Sequence, residues 1–401
     1  RLDRLDLRGR PGAGVLMDPV YPAPIYPAPI YLDHNASTPV DPEVLEAMRP
    51  FLAERYGNPS STHAYGRALR AAIERARAQV AQLIGGAPEE IVFTSGGTES
   101  NNLAIRGAAA ARPQRRHLLT SVIEHPATLR PCALLQGRGY AVEHAAVDAR
   151  GQVAAEEMAG LLRADTALVS LMHANGETGT IQPVAEVAVA ARARGVLVHS
   201  DAAQSLGKIE VRVDALGVDL LSIAGHKMYA PVGVGALYVR GGTAIEPLLA
   251  GAGHERGLRP GTENTAGIVG LGAACVIAGR VLAAESVRQR DLRDLLWRRL
   301  AARVPGLALN GHAEQRLPNT LSVRFPAVSG NALLALCDGL AASTGSACHA
   351  ACETPSAVIT AMGIAERDAL GTVRLSLGRA SRRDAIEQAA DRLAAAWSQL
   401  A

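Results

Sequence analysis

The sequence predicts an α/β fold, in which a large domain built on a mostly parallel sheet is followed by a smaller α+β domain. Short apolar runs alternate with Ala-rich helical stretches after residue 60, a pattern typical of strands joined by helical crossovers. Several of these runs are continuous, as expected for strands covered on both faces. After about residue 281 the rhythm changes to a long helix and separated strands, which indicates a second unit.

Each predicted strand of the large domain is followed by polar residues, and helices such as residues 183–194 lie between the strands. We predict an N-terminal extension at 1–30, a large domain at 31–280 whose first residues pack on the small domain, and a small domain at 281–401 with strands at 317–325 and 371–378. The segments that combine a strand with a polar end are EEIVFTSGGTES (89–100), HLLTSVIEHP (117–126), TALVSLMHANGETG (166–179), GVLVHSDAAQSLG (195–207) and VDLLSIAGHKMYAP (218–231).

The composition argues against several classes of protein. The chain has 401 residues and a net charge of +3 from 41 basic and 38 acidic residues, a balance that speaks against a dedicated nucleic-acid binder. Neither an apolar run of membrane-spanning length nor a signal-peptide pattern occurs, so we expect no membrane span. Five cysteines, an odd number, fit a reducing cytoplasm. The tandem YPAPIYPAPI at 21–30 predicts an extended arm without assigned chemistry.

The polar residues at the strand ends are predicted to form one site. In open parallel sheets, ligands bind beyond the carboxyl ends of the strands. SGGTES, at a strand-to-helix junction, suits a phosphate, because glycines let backbone N–H groups approach an anion at a helix N-terminus; an ordinary tight turn is the alternative. The residues that meet at this edge are Gly96, Gly97, Thr98, His125, Asn175, Asp201, Gln204, His226 and Lys227.

Three of these residues have chemistry that suits an aromatic aldehyde cofactor. Asp201 follows a buried strand, where a carboxylate needs a cationic partner such as a pyridinium nitrogen, although a structural Asp would also fit. Lys227 ends an apolar strand, where desolvation lowers its pKa and favours Schiff-base formation over a surface role. His125 could stack on a ring or be an ordinary core histidine.

A cysteine in the stretch STGSACHAAC (343–352) has almost no apolar neighbours. A structural cysteine usually lies among Leu, Val and Ile, whereas a reactive one needs access and a flexible backbone. The stretch holds two thiols, Cys348 and Cys352, and does not by itself decide between these roles.

The order of these motifs resembles that of the cysteine desulfurases, pyridoxal-phosphate enzymes of the class V aminotransferase family. The resemblance runs from about residue 31 to about residue 397 and implies the aspartate aminotransferase-like fold, with a seven-stranded sheet in the large domain. The matching motifs are YLDHNASTP (31–39), GNPSS (57–61), FTSGGTESNN (93–102), EH (124–125), NGETG (175–179), HSDAAQ (199–204), GHK (225–227), GHERGLRPGTEN (253–264), GSAC (345–348) and RLSLGR (374–379).

The resemblance implies roles for the residues that bind the cofactor, pyridoxal 5'-phosphate. Lys227 would bind it covalently, Asp201 would pair with the ring nitrogen and Gln204 with the ring hydroxyl, and His125 would stack on the ring. The phosphate would be held by Gly97, Thr98 and His226, and by Thr262 of the other subunit of a homodimer.

The resemblance also implies the substrate and the reaction. Asn175 and Arg374 would bind the carboxylate of L-cysteine, since a guanidinium fork suits that task, and Asn35 would lie near the substrate. Lys227 would remove the α-proton and the Cys348 thiolate would attack the substrate sulfur, which leaves a persulfide on the enzyme and releases alanine. The sulfur would pass to an acceptor protein, with iron–sulfur assembly as one possible destination.

Two departures from the family pattern keep alternatives open. Ala224 stands where desulfurases often have a phosphate-binding hydroxyl, and Ser222 lies farther away on the same strand face. Cys352 is an added thiol, which we interpret as a bystander rather than a persulfide relay. A metal site formed by Cys348, His349 and Cys352 is a weaker alternative, and no metal is expected. Two alternative functions stay open. One is a selenocysteine lyase, since the lack of a hydroxyl at position 224 is similar to that branch of the family, and the other is a non-catalytic sulfur-relay scaffold.

Overall fold

The protein is described by a computed structural model, which covers residues 30–345 and 354–401. Most of the predicted N-terminal extension with its tandem repeat, and the predicted nucleophile Cys348 with Cys352, lie outside the described residues. The strands are β1 (Ile30–Tyr31), β2 (Ile91–Thr94), β3 (His117–Ser121), β4 (Ala141–Ala145), β5 (Thr166–Ser170), β6 (Leu197–Asp201), β7 (Leu220–Ala224), β8 (Gly235–Val239), β9 (Ala308–Leu309), β10 (Thr320–Arg324), β11 (Leu340–Ala341) and β12 (Thr372–Ser376).

Helices cover the sheets, and short 3-10 turns occur at Pro88–Glu90, Gly225–Lys227 and His254–Gly257. The α-helices are α1 (Pro42–Ala53), α2 (Ala64–Ile84), α3 (Gly97–Ala110), α4 (Pro126–Gln136), α5 (Ala155–Gly160), α6 (Val184–Arg192), α7 (Val213–Leu216), α8 (Thr265–Ala301), α9 (Gly330–Ala335), α10 (Ala357–Ala361), α11 (Glu366–Ala369) and α12 (Arg383–Leu400).

The central sheet has seven strands in the order β2-β8-β7-β6-β5-β3-β4. The pairs from β7 through β6, β5 and β3 to β4 are parallel, and β8 runs antiparallel to both of its neighbours. Because β2 and β7 both oppose β8, β2 points the same way as the parallel strands. This mostly parallel sheet confirms the predicted α/β fold.

Both faces of the central sheet are buried, which explains the continuous apolar runs in the sequence. Neighbouring residues of one strand enter different cores. Leu220 packs in the core under α3, whereas Leu221 packs in the core that also holds residues of α2, α6 and α8. The same division separates Leu118 from Leu119 on β3, as the period of two in a strand requires.

A second core forms around the antiparallel sheet β12-β10-β9 together with α12. The beginning of the described chain belongs to this core, since β1 pairs in parallel with β11 and Leu32 is buried there. This pairing brings the segment after residue 31 onto the C-terminal part of the chain, beside β12, where Asp33 bridges to Ser376.

Helix α8 connects the two cores. Ile268, Leu271 and Ile277 pack under the central sheet, and Leu296 and Leu300 pack in the C-terminal core. Helix α8 is long and apolar enough to cross a membrane, but the core helices of globular proteins meet the same two criteria. Half of its most apolar stretch is buried inside the protein. The predicted domain boundary between residues 280 and 281 falls inside this helix and stays a prediction.

Candidate active site

The carboxyl ends of five strands that point in one direction carry the predicted site residues. Strand β2 leads into Gly96 and Gly97, β3 into His125, β5 into Asn175, β6 ends at Asp201, and β7 leads into the turn Gly225–Lys227. Because these strands are neighbours or near neighbours in the sheet, their ends meet at one edge.

Asp201 is buried and held from two sides. Asn101 Nδ2 on α3 donates to Oδ2 at 2.7 Å, and the backbone N–H of Ala203 donates to Oδ1 at 2.9 Å. These donors fix the direction of the carboxylate at the end of β6. Two hydrogen bonds replace part of the hydration that burial removes, so the carboxylate remains available for a cation.

Lys227 has an environment that favours the neutral amine. Burial lowers the pKa of Lys227, with a smaller contribution from Arg374, while the charge of Asp201 opposes the shift. The neutral amine is the form of a lysine that attacks an aldehyde carbon. The structure therefore places a nucleophilic amine beside the fixed carboxylate of Asp201.

His125 is the N-cap residue of α4, where its Nδ1 accepts from the N–H of Ala127 at 3.1 Å. This bond fixes the ring and leaves Nε2 for another partner. Partial desolvation by the surrounding protein first, and the charge of Lys227 second, lower the pKa of His125, which favours the neutral ring. Its side chain is exposed in the single chain, as a stacking face would be.

Helix α3 begins at Gly97 without a side-chain cap, which leaves its first N–H groups for an anion. Gly96 has a φ of +150°, a conformation that favours glycine. A Cβ at Gly97 would lie 3.2 Å from the Cβ of Ala224, so β7 closely approaches the start of α3. Thr98 is exposed in the first turn of the helix.

The segment after β1 holds the turn that carries Lys227. Thr38 donates to the carbonyl oxygen of His226 through both its N–H and its hydroxyl, each at 2.9 Å, and the hydroxyl accepts from the N–H of Tyr229 at 2.8 Å. His226 Nδ1 lies 3.3 Å from the Ser37 hydroxyl. The motif YLDHNASTP thus has a local structural task, which is to fix the turn.

A network of hydrogen bonds surrounds Gln204. It includes Lys208, which the sequence analysis did not single out. Lys208 Nζ donates to Gln204 Oε1 and to Asn35 Oδ1, both at 2.9 Å. Gln204 Nε2 donates to the carbonyl oxygen of Asn35 at 3.0 Å. Asn319 Nδ2 also donates to Asn35 Oδ1, at 3.0 Å. Asn35 and Gln204 are thereby brought together although 169 positions separate them.

Arg374 reaches the site from β12. Its Nη2 donates to Asp33 Oδ1 at 2.6 Å and its Nη1 to the carbonyl oxygen of Gly176 at 3.2 Å. Its Nε is buried and has no hydrogen-bond partner among the described residues. The guanidinium is thus anchored at one side and retains an unused donor, which suits the binding of a carboxylate.

Asn175 is buried and tied into its own turn. Its Oδ1 accepts from the N–H groups of Glu177 and Thr178, both at 2.9 Å, and its Nδ2 donates to the carbonyl oxygen of Ile123 at 3.1 Å. Nδ2 also donates to Met172 Sδ at 3.5 Å, so both ends of the Asn175 amide are held within the protein.

Glu177 lies between the two described ends of the chain that flank residues 346–353. Ser356 donates to its Oε2 at 2.5 Å, and a Cβ at Gly345 would lie 2.9 Å from the same oxygen. Burial raises the pKa of Glu177. Glu177 had no signal in the sequence beyond its place in NGETG, and Lys208 lies outside all of the motifs.

Thr262 is exposed and takes part in none of the contacts above. Its segment is anchored to the large sheet at two points. Arg77 donates to both oxygens of Glu255, at 2.7 and 2.8 Å, and Arg259 pairs with Glu99 of α3 at 3.0 Å. The structure therefore fixes the loop before α8 but does not bring Thr262 into the same chain's cluster.

Comparison with known proteins identifies the family. The class V aminotransferase family matches residues 30–389. The cysteine desulfurase IscS of Dictyoglomus turgidum is 46% identical over 350 residues, 86% of this chain and 89% of that protein. The cysteine desulfurase NifS of Azotobacter vinelandii is 44% identical over 360 residues, 89% of this chain and 90% of that protein.

The chain belongs to the cysteine desulfurase family. A solved structure of a NifS-like protein superposes with a TM-score of 0.87 and 39% identity, and the match covers 93% of this chain and all of that one. The predicted fold, that of the pyridoxal-phosphate-dependent aminotransferases, is confirmed, and so is the predicted membership of the family.

The donor set at the strand ends fits pyridoxal phosphate. The uncapped start of α3 suits its phosphate, the fixed carboxylate of Asp201 suits its pyridinium nitrogen, and the amine of Lys227 suits its aldehyde. His125 offers an exposed neutral ring. Each chemical part of the cofactor thus has a complementary group at one edge of the sheet.

The three described cysteines differ from a desulfurase nucleophile. Cys132, Cys275 and Cys337 are all buried, and burial raises the pKa of the first two to about 12. Such thiols are inert at neutral pH. In residues 30–345 and 354–401 no three His, Cys, Asp or Glu side chains are grouped as metal ligands.

Proposed function

We propose that the protein is a pyridoxal-phosphate-dependent cysteine desulfurase that converts L-cysteine to L-alanine and passes the sulfur to an acceptor through a persulfide on Cys348. The observation that carries the proposal is the convergence of Lys227, Asp201 and His125 beside the uncapped start of α3. This is the chemistry that a family member needs, on the strand ends where ligands of such sheets bind.

The cofactor would be held by Lys227 at its aldehyde, Asp201 at its ring nitrogen, Gln204 at its ring hydroxyl and His125 at its ring face. Gly97, Thr98 and His226 would bind its phosphate. When bound, pyridoxal phosphate supplies an electron sink for the bonds at the substrate Cα. The protein supplies the orientation, the charge partners and the removal of water.

The substrate would be fixed by its carboxylate. Arg374, which Asp33 and Gly176 hold in place, would offer its guanidinium, and Asn175 would add its side-chain amide. Asn35 lies between Gly176 and Lys208 at the same edge. Anchoring of the carboxylate aims the α-proton at the amine of Lys227. The neutral form of that amine, which burial favours, is the form that takes up a proton.

Cys348 would carry out the sulfur transfer. Its thiolate attacks the sulfur of the substrate, so that an S–S bond forms while the C–S bond of the substrate breaks. The substrate carbon takes up a proton, and alanine leaves. The terminal sulfur then moves to an acceptor protein by attack of the acceptor's thiol.

A homodimer would complete the phosphate site, because Thr262 would reach the cofactor of the partner subunit. Its exposure in the single chain and the anchored loop around it support this assignment. The adjacent Glu263 is buried, and neither of its oxygens accepts a hydrogen bond from a described residue, although Arg70 lies 3.6 Å away.

A selenocysteine lyase remains the second candidate, and one contact bears on it. The Ser222 hydroxyl lies 2.9 Å from His199 Nε2 within the sheet, so it does not replace the hydroxyl missing at Ala224. The two activities are separated by kcat/KM for L-cysteine and L-selenocysteine. We expect L-cysteine to be turned over, with the extra sulfur on Cys348.

The experiment is a single-turnover assay with L-cysteine on the protein reconstituted with pyridoxal phosphate. Wild type should release alanine, and mass spectrometry should place the added sulfur on the peptide that contains Cys348. Cys348→Ser should retain the cofactor and release no sulfide, whereas Cys352→Ser should retain most activity with a small-molecule reductant. Sulfur found first on Cys352, together with turnover by Cys348→Ser, would reverse the assignment. Failure of wild type to release alanine would refute the function.

A further inference from the structure

Lys208 is one of two lysines in the 401-residue chain; the other is Lys227. At every other basic position the sequence uses arginine. Both lysines lie at the same edge of the central sheet, near enough that the charge of Lys227 lowers the pKa of Lys208. The role proposed for Lys227 explains one lysine and leaves the other unexplained.

The contacts of Lys208 are specific. Its Nζ donates to Gln204 Oε1 and to Asn35 Oδ1, each at 2.9 Å. Asn35 Oδ1 has a second donor in Asn319, but Lys208 is the donor that the structure gives to Gln204 Oε1. The loss of Lys208 would therefore affect Gln204 more than Asn35.

We propose that Lys208 is a positioning residue that fixes the direction of the Gln204 side-chain amide, so that Gln204 presents its NH2 group to the cofactor. The proposal rests on the proposed place of Gln204 beside the ring hydroxyl. An ammonium or amine nitrogen that donates two hydrogen bonds requires acceptors, so the side of Gln204 that faces Lys208 is its oxygen.

The opposite side of the same amide is also fixed. Gln204 Nε2 donates to the carbonyl oxygen of Asn35 at 3.0 Å. If the amide were reversed, its NH2 would face the donor of Lys208 and its oxygen would face the Asn35 carbonyl oxygen, and both contacts would be repulsive. Nε2 carries two hydrogens and the described residues give it one acceptor, so in this proposal the second hydrogen is the one offered to the cofactor.

The charge of Lys208 is not needed for this role. Burial first, then the charges of Lys227 and Arg374, lower the pKa of Lys208 well below its ordinary value. A neutral amine still carries two hydrogens, one for each acceptor. A single nitrogen that donates to two different side chains also suits lysine better than the planar fork of arginine.

The experiment measures cofactor binding to the apoprotein, by absorbance titration with pyridoxal phosphate, for Lys208→Met, Gln204→Met and the double variant. Loss of one oriented hydrogen bond should weaken the binding by about tenfold in Lys208→Met, and by a similar factor in Gln204→Met. Because both changes remove the same interaction, the double variant should bind within about twofold of Gln204→Met. Lys208→Arg, which retains donors but not a single nitrogen between the two acceptors, should recover only part of the affinity.

A second readout separates positioning from a general loss of stability. The pH midpoint of the absorbance change of the bound cofactor should shift equally in Lys208→Met and Gln204→Met, because the ring oxygen loses the same donor. The thermal unfolding temperature of each apoprotein is measured in parallel. If Lys208→Met does not fold, Lys208→Gln replaces it, since its amide is one bond too short to reach both acceptors.

Two results would overturn the inference. One is that Lys208→Met binds pyridoxal phosphate with wild-type affinity and shows the wild-type pH midpoint of cofactor absorbance. The other is a double variant that binds about a hundredfold more weakly than wild type, which would mean that the two residues act independently. Failure of the proposed function is distinguishable from both, because it would appear in the wild type as a lack of pyridoxal phosphate binding or of alanine release.

Discussion

At the scale of single residues, burial alone gives the side chains of the site different properties. Burial lowers the pKa values of Lys227 and His125, and it raises the pKa of the Glu124 carboxyl to about 8. All three shifts favour the neutral form, because desolvation penalises the charge. The site therefore combines the guanidinium of Arg374 with an amine and an imidazole whose neutral forms are favoured.

Arg374 gives a test of substrate binding. Arg374→Ala should raise KM for L-cysteine strongly, because truncation of one partner of a buried charge pair costs roughly 2–5 kcal/mol. Cofactor affinity should change little. Steady-state kinetics and a pyridoxal phosphate titration measure both effects. Arg374→Lys is the matched control, since it retains the charge but loses the fork, and it should fall between wild type and Arg374→Ala. An unchanged KM in Arg374→Ala would remove the residue from the substrate site.

Glu124 gives a test of the effect of burial on stability. Its oxygens accept from the Ser121 hydroxyl at 2.6 Å and from the N–H of Met172 at 3.0 and 3.1 Å. The native carboxyl takes up its proton as pH falls through about 8, whereas the unfolded carboxyl does so near 4.5. The contribution of Glu124 to the free energy of unfolding is therefore fully present below about pH 4.5. It falls by up to about 1.4 kcal/mol per pH unit as the pH rises from there to about 8.

Glu124→Gln removes this titration while it keeps a hydrogen-bonding side chain of the same shape. We expect the free energy of unfolding of wild-type apoprotein to fall relative to that of Glu124→Gln between pH 6 and pH 8, as measured by urea denaturation. Other titrating groups are shared by the two proteins and cancel in the difference. Parallel curves over this range would show that Glu124 does not change its charge there.

The sequence was sufficient to predict which polar residues lie at the ends of strands. Asp201, Lys227 and His125 each follow an apolar run, and the period of the chain puts them at one edge. Lys208 and Asp33 could not be found in this way. Their importance lies in contacts with Asn35 and Arg374 at 173 and 341 positions away, and no local pattern encodes such pairs.

At the scale of elements, the parallel strands were predictable and two features were not. Strand β8 is antiparallel to its neighbours, but its apolar run has no feature that sets direction. Helix α8 continues through the predicted domain boundary, because its first half packs in the core under the central sheet and its last turns pack in the C-terminal core. The direction of a strand and the continuity of a helix depend on the elements that pack against them. The sequence of the strand or helix itself does not contain this information.

The close approach of β7 to α3 gives a test of the phosphate site. Ala224 faces Gly97, so Ala224→Ser would place a hydroxyl at the uncapped start of α3. One added hydrogen bond to a charged group contributes about 1.5 kcal/mol, so affinity for pyridoxal phosphate should rise up to about tenfold. Ser222→Ala is the matched control, since its hydroxyl lies 2.9 Å from His199 Nε2, and it should leave cofactor affinity unchanged. Weaker binding in Ala224→Ser would show that the hydroxyl points elsewhere or crowds Gly97.

At the scale of the whole molecule, the described residues proposed to bind cofactor and substrate meet within one chain, except for Thr262. The loop before α8 is fixed by the buried pair of Arg77 and Glu255, although Glu255 and Arg256 adopt φ values of +46° and +57°. Such backbone conformations are costly for these residues and persist only where surrounding contacts impose them. A strained loop that presents an exposed threonine is consistent with a task outside its own chain.

Subunit mixing gives the test of that task. Lys227→Ala protein lacks the amine in every site, and Thr262→Ala protein would lack the hydroxyl donated to every partner site. If Thr262 acts in the partner's site, one site of a mixed dimer would lack both the Lys227 amine and the Thr262 hydroxyl. The other site would contain an intact Lys227 and an intact Thr262. After random reassociation of equal amounts, activity should therefore approach about a quarter of the wild-type value at cofactor concentrations that do not saturate Thr262→Ala.

The same mixture decides whether Thr262 acts within its own chain. In that case each mixed dimer would contain one site of each defective kind, and its activity would equal the mean of the two parent proteins. Mixing without dissociation of the parent dimers gives the same mean and serves as the control. Because Lys227→Ala contributes nothing, activity above that mean after reassociation can come only from sites that combine residues of two chains. A fully active monomer in sedimentation at the assay concentration would contradict the dimer itself.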